Sequence, residues 1–148
     1  MRAPDLPPKE AAIQFFNEQI DFQLSHSGEV SNWILQTIEQ ENQSLGFLNF
    51  IFCSDEYLHH INLTYLQHDT LTDVITFPYS DQSIEGDVFI SIERVEENAA
   101  QFKVSFEQEL YRVIIHGTLH LLGFRDKSEE EQKLMRSKEE EYLSQITF

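Results

Sequence analysis

His116 and His120 lie four residues apart in the run HGTLHLLGFRD, and Asp126 closes it. Side chains four apart on a helix leave one face with about 5–6 Å between Cβ atoms, so two imidazoles so placed can hold one cation between their rings. Gly123 can take the left-handed conformation that stops a helix, which lets the chain turn back and present the Asp126 carboxylate to the same point. Imidazole nitrogen and carboxylate oxygen both suit zinc, and three protein ligands leave a fourth position open for water. The competing reading is a pair of core histidines satisfied by backbone carbonyls and neighbouring carboxylates. Burying two imidazoles on one face is costly without partners, and a metal supplies both at once, which favours the ion.

The interval from His120 to Asp126, with a glycine midway, is similar to that by which metzincin peptidases bring in a third metal ligand. Those enzymes place a general-base glutamate directly after the first histidine, whereas Gly117 stands there in this chain. Hydrolysis of peptides by that route is therefore not expected. Gly117 itself has two readings: room beside the metal for a large substrate, or tight packing of helix against sheet.

These residues must be held by surrounding elements. Apolar residues at Ile13, Phe15 and Phe16, followed by the alternation of Ile20, Phe22 and Leu24, predict extended structure through residues 13–24. A helical stripe of Val30, Trp33, Ile34, Thr37 and Ile38 follows within residues 28–43. GFLNFIFCS reads as a strand, and residues 55–67 as a helix with Leu58, Ile61, Asn62 and Tyr65 on its inner side. TDVITFPY and EGDVFISI read as an antiparallel hairpin. Helices are expected over residues 93–103, 106–122 and 128–146, the last opening with Ser128 three residues before Glu131 in the manner of a capping box. The order β-α-β-α-β-β-α-α-α implies an α+β fold with one mixed four-stranded sheet covered by about five helices. The chain carries no internal repeat or linker, and its 148 residues suit a single domain over 1–148.

Composition narrows the function. The net charge of −16 repels phosphate backbones, so any contact with nucleic acid has to be local. Much of the acid sits in SEEEQKLMRSKEEEYL, where Lys133, Arg136 and Lys138 are interleaved at helical spacing, the pattern of a solvated helix face. Cys53, the single cysteine, reads as the end of a buried strand and suits a reducing compartment. No window approaches the ~18 apolar residues of a membrane span, and the opening MRAPDLPPKEAA has no long apolar segment, so a cytoplasmic location is expected.

HGTLHLLGFRD resembles the HGxLHLxGYDH signature of the YbeY family of bacterial endoribonucleases. INLTYLQHDTLTDVITFP likewise resembles the family's LNxxYRxxDxPTDVLSFP, and GDVFIS its GDIxIS, in the same order along the chain. The resemblance implies metal-dependent cleavage of single-stranded RNA in ribosomal RNA maturation, including the 3′ end of 16S rRNA, and in small-subunit quality control. It also implies a small-subunit ribosomal protein as partner. The family's first two metal histidines fall on His116 and His120, and its third falls on Asp126. The implied ion is zinc, one per chain, with nickel, manganese or iron as alternatives. A family arginine that faces RNA is replaced by Leu66, which removes a cation from a phosphoryl site. Arg125, beside Asp126, and Arg112, one helical turn before His116, are candidates to replace it, and Arg112 reads equally as a surface residue pairing with Glu109. Thr72 and Asp73 match the family's TDV motif. Asp73 is the candidate acceptor that orients a ligand histidine, or else a turn-former before the strand. His59 and His60 are expected to face solvent, and His68 stands close to the lost arginine.

Overall fold

In a computed structural model of the chain, residues 12–68 and 70–148 are described. The expectations for the N-terminal MRAPDLPPKEA and for Asp69 in the second motif lie outside them. The elements run β1 (Ile13–Glu18), α1 (Ser27–Gln40), β2 (Leu45–Cys53), α2 (Asp55–Leu66), β3 (Val74–Pro78), β4 (Ile84–Ser91), α3 (Ile92–Phe102), α4 (Phe106–Leu121) and α5 (Glu129–Leu143). This is the expected α+β order of one four-stranded sheet with five helices.

The sheet order is β1-β2-β4-β3. β1 and β2 are parallel, β2 and β4 are parallel, and β3 runs antiparallel to β4 as the hairpin reading required. Alternation sorts side chains to two faces. Leu48, Phe50 and Phe52 of β2, with Val88 and Ile90 of β4, pack against Val30, Trp33, Ile34 and Ile38 of α1 and Ile114, Ile115 and Leu119 of α4 in the main core. On the opposite face Cys53 and Ile75 meet Leu58 and Ile61 of α2 in a smaller cluster. Burying this much aliphatic and aromatic surface, at about 25 cal/mol per Å², is what holds α1 and α4 to the sheet.

Three expectations need correction. The extended segment stops at Glu18, because Gln19 takes a left-handed conformation (φ 57°) that no strand accommodates. Ile20, Phe22 and Leu24 still pack against the main core, but as an irregular connection in which Asn17 Nδ2 donates to the Phe22 carbonyl at 2.7 Å. Tyr65 does not face inward; it is 66% exposed at the end of α2. Finally, α5 ends at Leu143, three residues short of the expected Ile146.

β3 is an edge strand, and α4 crosses the sheet beside it. A Cβ on Gly117 would lie 2.8 Å from Val88 Cγ1 and close to the methyls of Val74 and Thr76. Close packing of helix on sheet thus accounts for this glycine, and the site is built next to it. No helix among the described residues is long and apolar enough to cross a membrane.

Candidate metal centre

α4 is fixed at both ends. Ser105 and Gln108 form a reciprocal capping box at its start. At its end Gly123 takes φ 106°, and the N–H groups of Gly123 and Phe124 donate to the carbonyls of His120 and Leu119, the two bonds of a Schellman motif. That reversal brings Asp126 back over the last turn of the helix, as the glycine predicted.

The result is a compact donor set. His116 Nε2 and His120 Nε2 each lie 3.4 Å from the same oxygen, Asp126 Oδ2. One ligand atom from each of the three residues falls within 4.8 Å of the others. The rings stand nearly perpendicular, with centroids 4.5 Å apart. Both Nδ1 atoms are already occupied: that of His116 lies 2.6 Å from Glu139 Oε2, and that of His120 lies 3.0 Å from the Phe124 carbonyl. Acceptors on both Nδ1 atoms select the tautomer whose Nε2 lone pair points at the common centre, the outer-shell arrangement of metal-ligating histidines. Two imidazoles and a carboxylate so presented fit zinc, while the carboxylate keeps harder divalent ions acceptable.

The two histidines titrate in opposite directions. Burial pulls His116 down, but the hydrogen bond and charge of Glu139, with Asp126 and Asp73 behind them, outweigh it and leave the group above its ordinary value. His120 is lowered, by burial first and then by its neighbour His116. For two imidazoles this close to carry a proton each is costly, and an ion held between them would replace that competition by binding both as neutral ligands.

Glu139 was not anticipated. It is 4% exposed, and besides holding His116 it accepts from Arg112 Nη1 at 3.3 Å. Arg112 in turn grips buried Glu109 with Nε and Nη2 at about 3 Å. The guanidinium is thus committed to two carboxylates, as the pairing reading of Arg112 held. The chain Glu109, Arg112, Glu139, His116 alternates charge and leaves each buried carboxylate paired.

Asp73 lines a cavity of about 440 Å³ together with His116, His120 and Asp126, and with Leu66, His68, Leu71 and Thr72 on the far wall. Its Oδ2 accepts from Asn98 at 3.4 Å. Because both Nδ1 atoms have other partners, orienting the histidines falls to Glu139 and Phe124. Asn62 pins the loop of that far wall, donating through Nδ2 to the Thr70 carbonyl at 2.9 Å. Arg125 is exposed next to Asp126. His60 is exposed and His59 half-buried. Cys53 is buried, and desolvation followed by the charges of Asp55, Glu18 and Glu93 pushes its thiol up to about 12, so it is no nucleophile.

The family model described as Endoribonuclease YbeY matches residues 12–147. The chain belongs to the YbeY family. Endoribonuclease YbeY of Christiangramia forsetii is 52% identical over 137 residues, covering 92% of this chain and 95% of its own. That of Flavobacterium psychrophilum is 56% identical over 129 residues, covering 86% and 92%. The solution structure of a Thermotoga maritima protein matches with a TM-score of 0.65 at 28% sequence identity, covering 89% of this chain and 87% of that one. YbeY membership agrees with the resemblance carried by the three motifs.

Proposed function

We propose that this chain is a metal-dependent endoribonuclease of single-stranded RNA that acts in the cytoplasm on the small ribosomal subunit, in maturation of the 16S rRNA 3′ end and in quality control. The observation that supports it best is the convergence of His116 Nε2 and His120 Nε2 on one Asp126 oxygen, with each Nδ1 held from behind. His116, His120 and Asp126 would hold a divalent ion, most simply zinc, which when bound would supply Lewis acidity for a water and a phosphoryl oxygen.

The chain's own groups do the rest. Glu139 and the Phe124 carbonyl keep both imidazoles in the ligating tautomer, so no reorganisation is needed on binding. Asp73 places a carboxylate on the β3 side of the cavity, within hydrogen-bonding reach of a hydroxyl entering it, and its charge is felt at His116. Arg125 offers a cation next to Asp126 for the developing phosphoryl charge. The acidic surface is offset by delivery on the ribosome through a small-subunit ribosomal protein. A second reading, a non-catalytic assembly factor with a structural metal, draws on Leu66 standing in the cavity where the family has a cation.

A 16S-like RNA fragment incubated with metal-loaded wild type, His120→Ala and Asp126→Ala separates the two. Cleavage by wild type alone, with metal content by elemental analysis falling from one per chain to near none in both variants, is the expected result. Intact RNA with full metal in the wild type selects the assembly factor. Undiminished metal in Asp126→Ala removes it from the ligand set.

A further inference from the structure

The reading above leaves a physical gap, since a chain of charge −16 that has lost the family arginine must still hold a polyanion. The cavity on the Asp73 side of the donor set has no lysine or arginine among its described lining residues. His116 and Asp126 also line a second cavity of about 580 Å³ on their other side, and there Arg112, Lys133 and Arg136 come in. Its remaining wall is α5, whose Glu129, Gln132, Lys133 and Arg136 fall at positions i, i+3, i+4 and i+7, one helical face turned to the site.

Among the described residues the lysines and arginines divide by what they touch, and of those without an ion pair, Lys103, Arg125, Lys127, Lys133 and Arg136, only the last two line this cavity. Arg94 is held by Asp55 and Glu97, Arg112 by Glu109 and Glu139, and Lys138 by Glu41 and Glu141. Lys133 and Arg136 are exposed and form no ion pair among the described residues. Of the three carboxylates that share their cavity, Glu139 is engaged by His116 and Arg112, Asp126 faces the imidazoles, and Glu129, exposed one turn before Lys133, forms no ion pair with it, so the two cations stay open to a ligand. Free positive charge is therefore placed where the candidate ligands are, on the side away from Leu66.

Resting on the endoribonuclease reading, we infer that Lys133 and Arg136 are the phosphate-binding cations of this site, taking over from position 66 the task of holding the RNA backbone. The strand then lies across the donor set with its phosphates toward α5 and its bases toward the apolar wall of Leu66 and Leu71, which are 40% and 56% exposed. An arginine's fork and a lysine's point charge one helical turn apart grip successive phosphates without reading sequence.

Salt dependence tests this directly, because each phosphate contact to a single strand contributes about 0.7 to the slope of log affinity against log salt. The ligand is a short labelled oligouridylate whose 2′-O-methyl riboses block attack by the 2′-hydroxyl and whose label is checked to be intact on a gel after each titration, and the proteins are metal-replete wild type, Lys133→Ala/Arg136→Ala and Lys103→Ala. Lys103 caps α3 and lines neither cavity. The double variant is expected to keep its metal and fold but to show a slope shallower by about 1.4, so that a fourfold rise in salt costs it about sevenfold less affinity than wild type. Lys103→Ala is expected to match wild type. An unchanged slope in the double variant, or an equal loss in Lys103→Ala, overturns the assignment while leaving the nuclease reading intact. Wild type that neither binds this ligand nor cuts the unmodified RNA overturns both.

Discussion

α4 and α5 both contribute to the candidate centre, and they do so in opposite ways. α4 carries its chemistry openly: histidines interrupt an apolar run, and the helix is otherwise buried against the sheet. α5 reads as a charged surface helix, and most of it is. Yet its inward stripe of Met135, Glu139 and Tyr142, spaced i, i+4 and i+7, puts a carboxylate at a core position, and that carboxylate holds His116. The candidate ligands are thus written in residue type on one helix, and the orientation of His116 in burial on the next. The lesson is to ask of a charge run which member falls on its apolar stripe.

Glu139→Gln breaks the contrast most directly. The amide keeps the size but has one acceptor where the carboxylate has two: with its oxygen at Oε1 for Arg112, its NH2 faces His116 Nδ1 and donates where an acceptor is needed, and the charge that favours the Nδ1–H tautomer is lost. Metal affinity, measured by competition with a chelator, is expected to fall about 10–100-fold, the usual cost of removing an outer-shell partner. Replacing the exposed Glu140 next to it by glutamine is expected to leave affinity unchanged. Equal affinities for wild type and Glu139→Gln would return Glu139 to the solvated face that the composition suggested.

What could be read in advance follows the same division. The nine elements were legible because periodicity and caps are local: the Ser128 and Glu131 box opens α5 where expected, and Gly123 turns the chain after α4. The three donor residues were legible because histidines at that spacing are uncommon in a core. Misreadings came where tertiary context overrode pattern. Ile20, Phe22 and Leu24 alternate like a strand, but the left-handed Gln19 ends β1 before them. Tyr65 sits on a helical stripe with Ile61 and Leu58, yet at the end of α2 it stays largely exposed and only its ring meets half-buried Phe77 of β3, edge to face. Arg112 kept two readings open because its partner Glu139 lies 27 residues away, beyond any local pattern.

Gly117 sharpens the comparison from the α4 side. If its role is close approach, Gly117→Ala forces a methyl to 2.8 Å from Val88 Cγ1 and is expected to cost about 1–3 kcal/mol of stability, read by denaturant unfolding, despite alanine's better helix propensity. Val88→Ala in the same chain is expected to restore part of that loss, so the two changes are not additive. Had the glycine made room for substrate instead, Gly117→Ala would leave stability alone and lower activity.

A smaller effect of the same kind, a task concealed in an ordinary charged residue, lies at the junction of α2 and α3. Asp55 Oδ1 accepts from Ser91 Oγ at 2.6 Å, and Oδ2 from Arg94 Nη2 at 2.7 Å. Burial raises this carboxyl, but those two hydrogen bonds and the arginine's charge outweigh it and hold the group below its ordinary value. A carboxylate that is more acidic in the folded chain stabilises it above the unfolded pKa of about 3.9, and the contribution disappears as the pH falls through the lower folded value. Asp55→Asn has no such contribution to lose. It is therefore expected to be less stable than wild type by about 1 kcal/mol at neutral pH, with the gap closing on acidification below about pH 4. Urea unfolding of the two proteins across that range gives the gap at each pH, and a gap constant with pH would mean that Asp55 acts at this junction by shape rather than by charge.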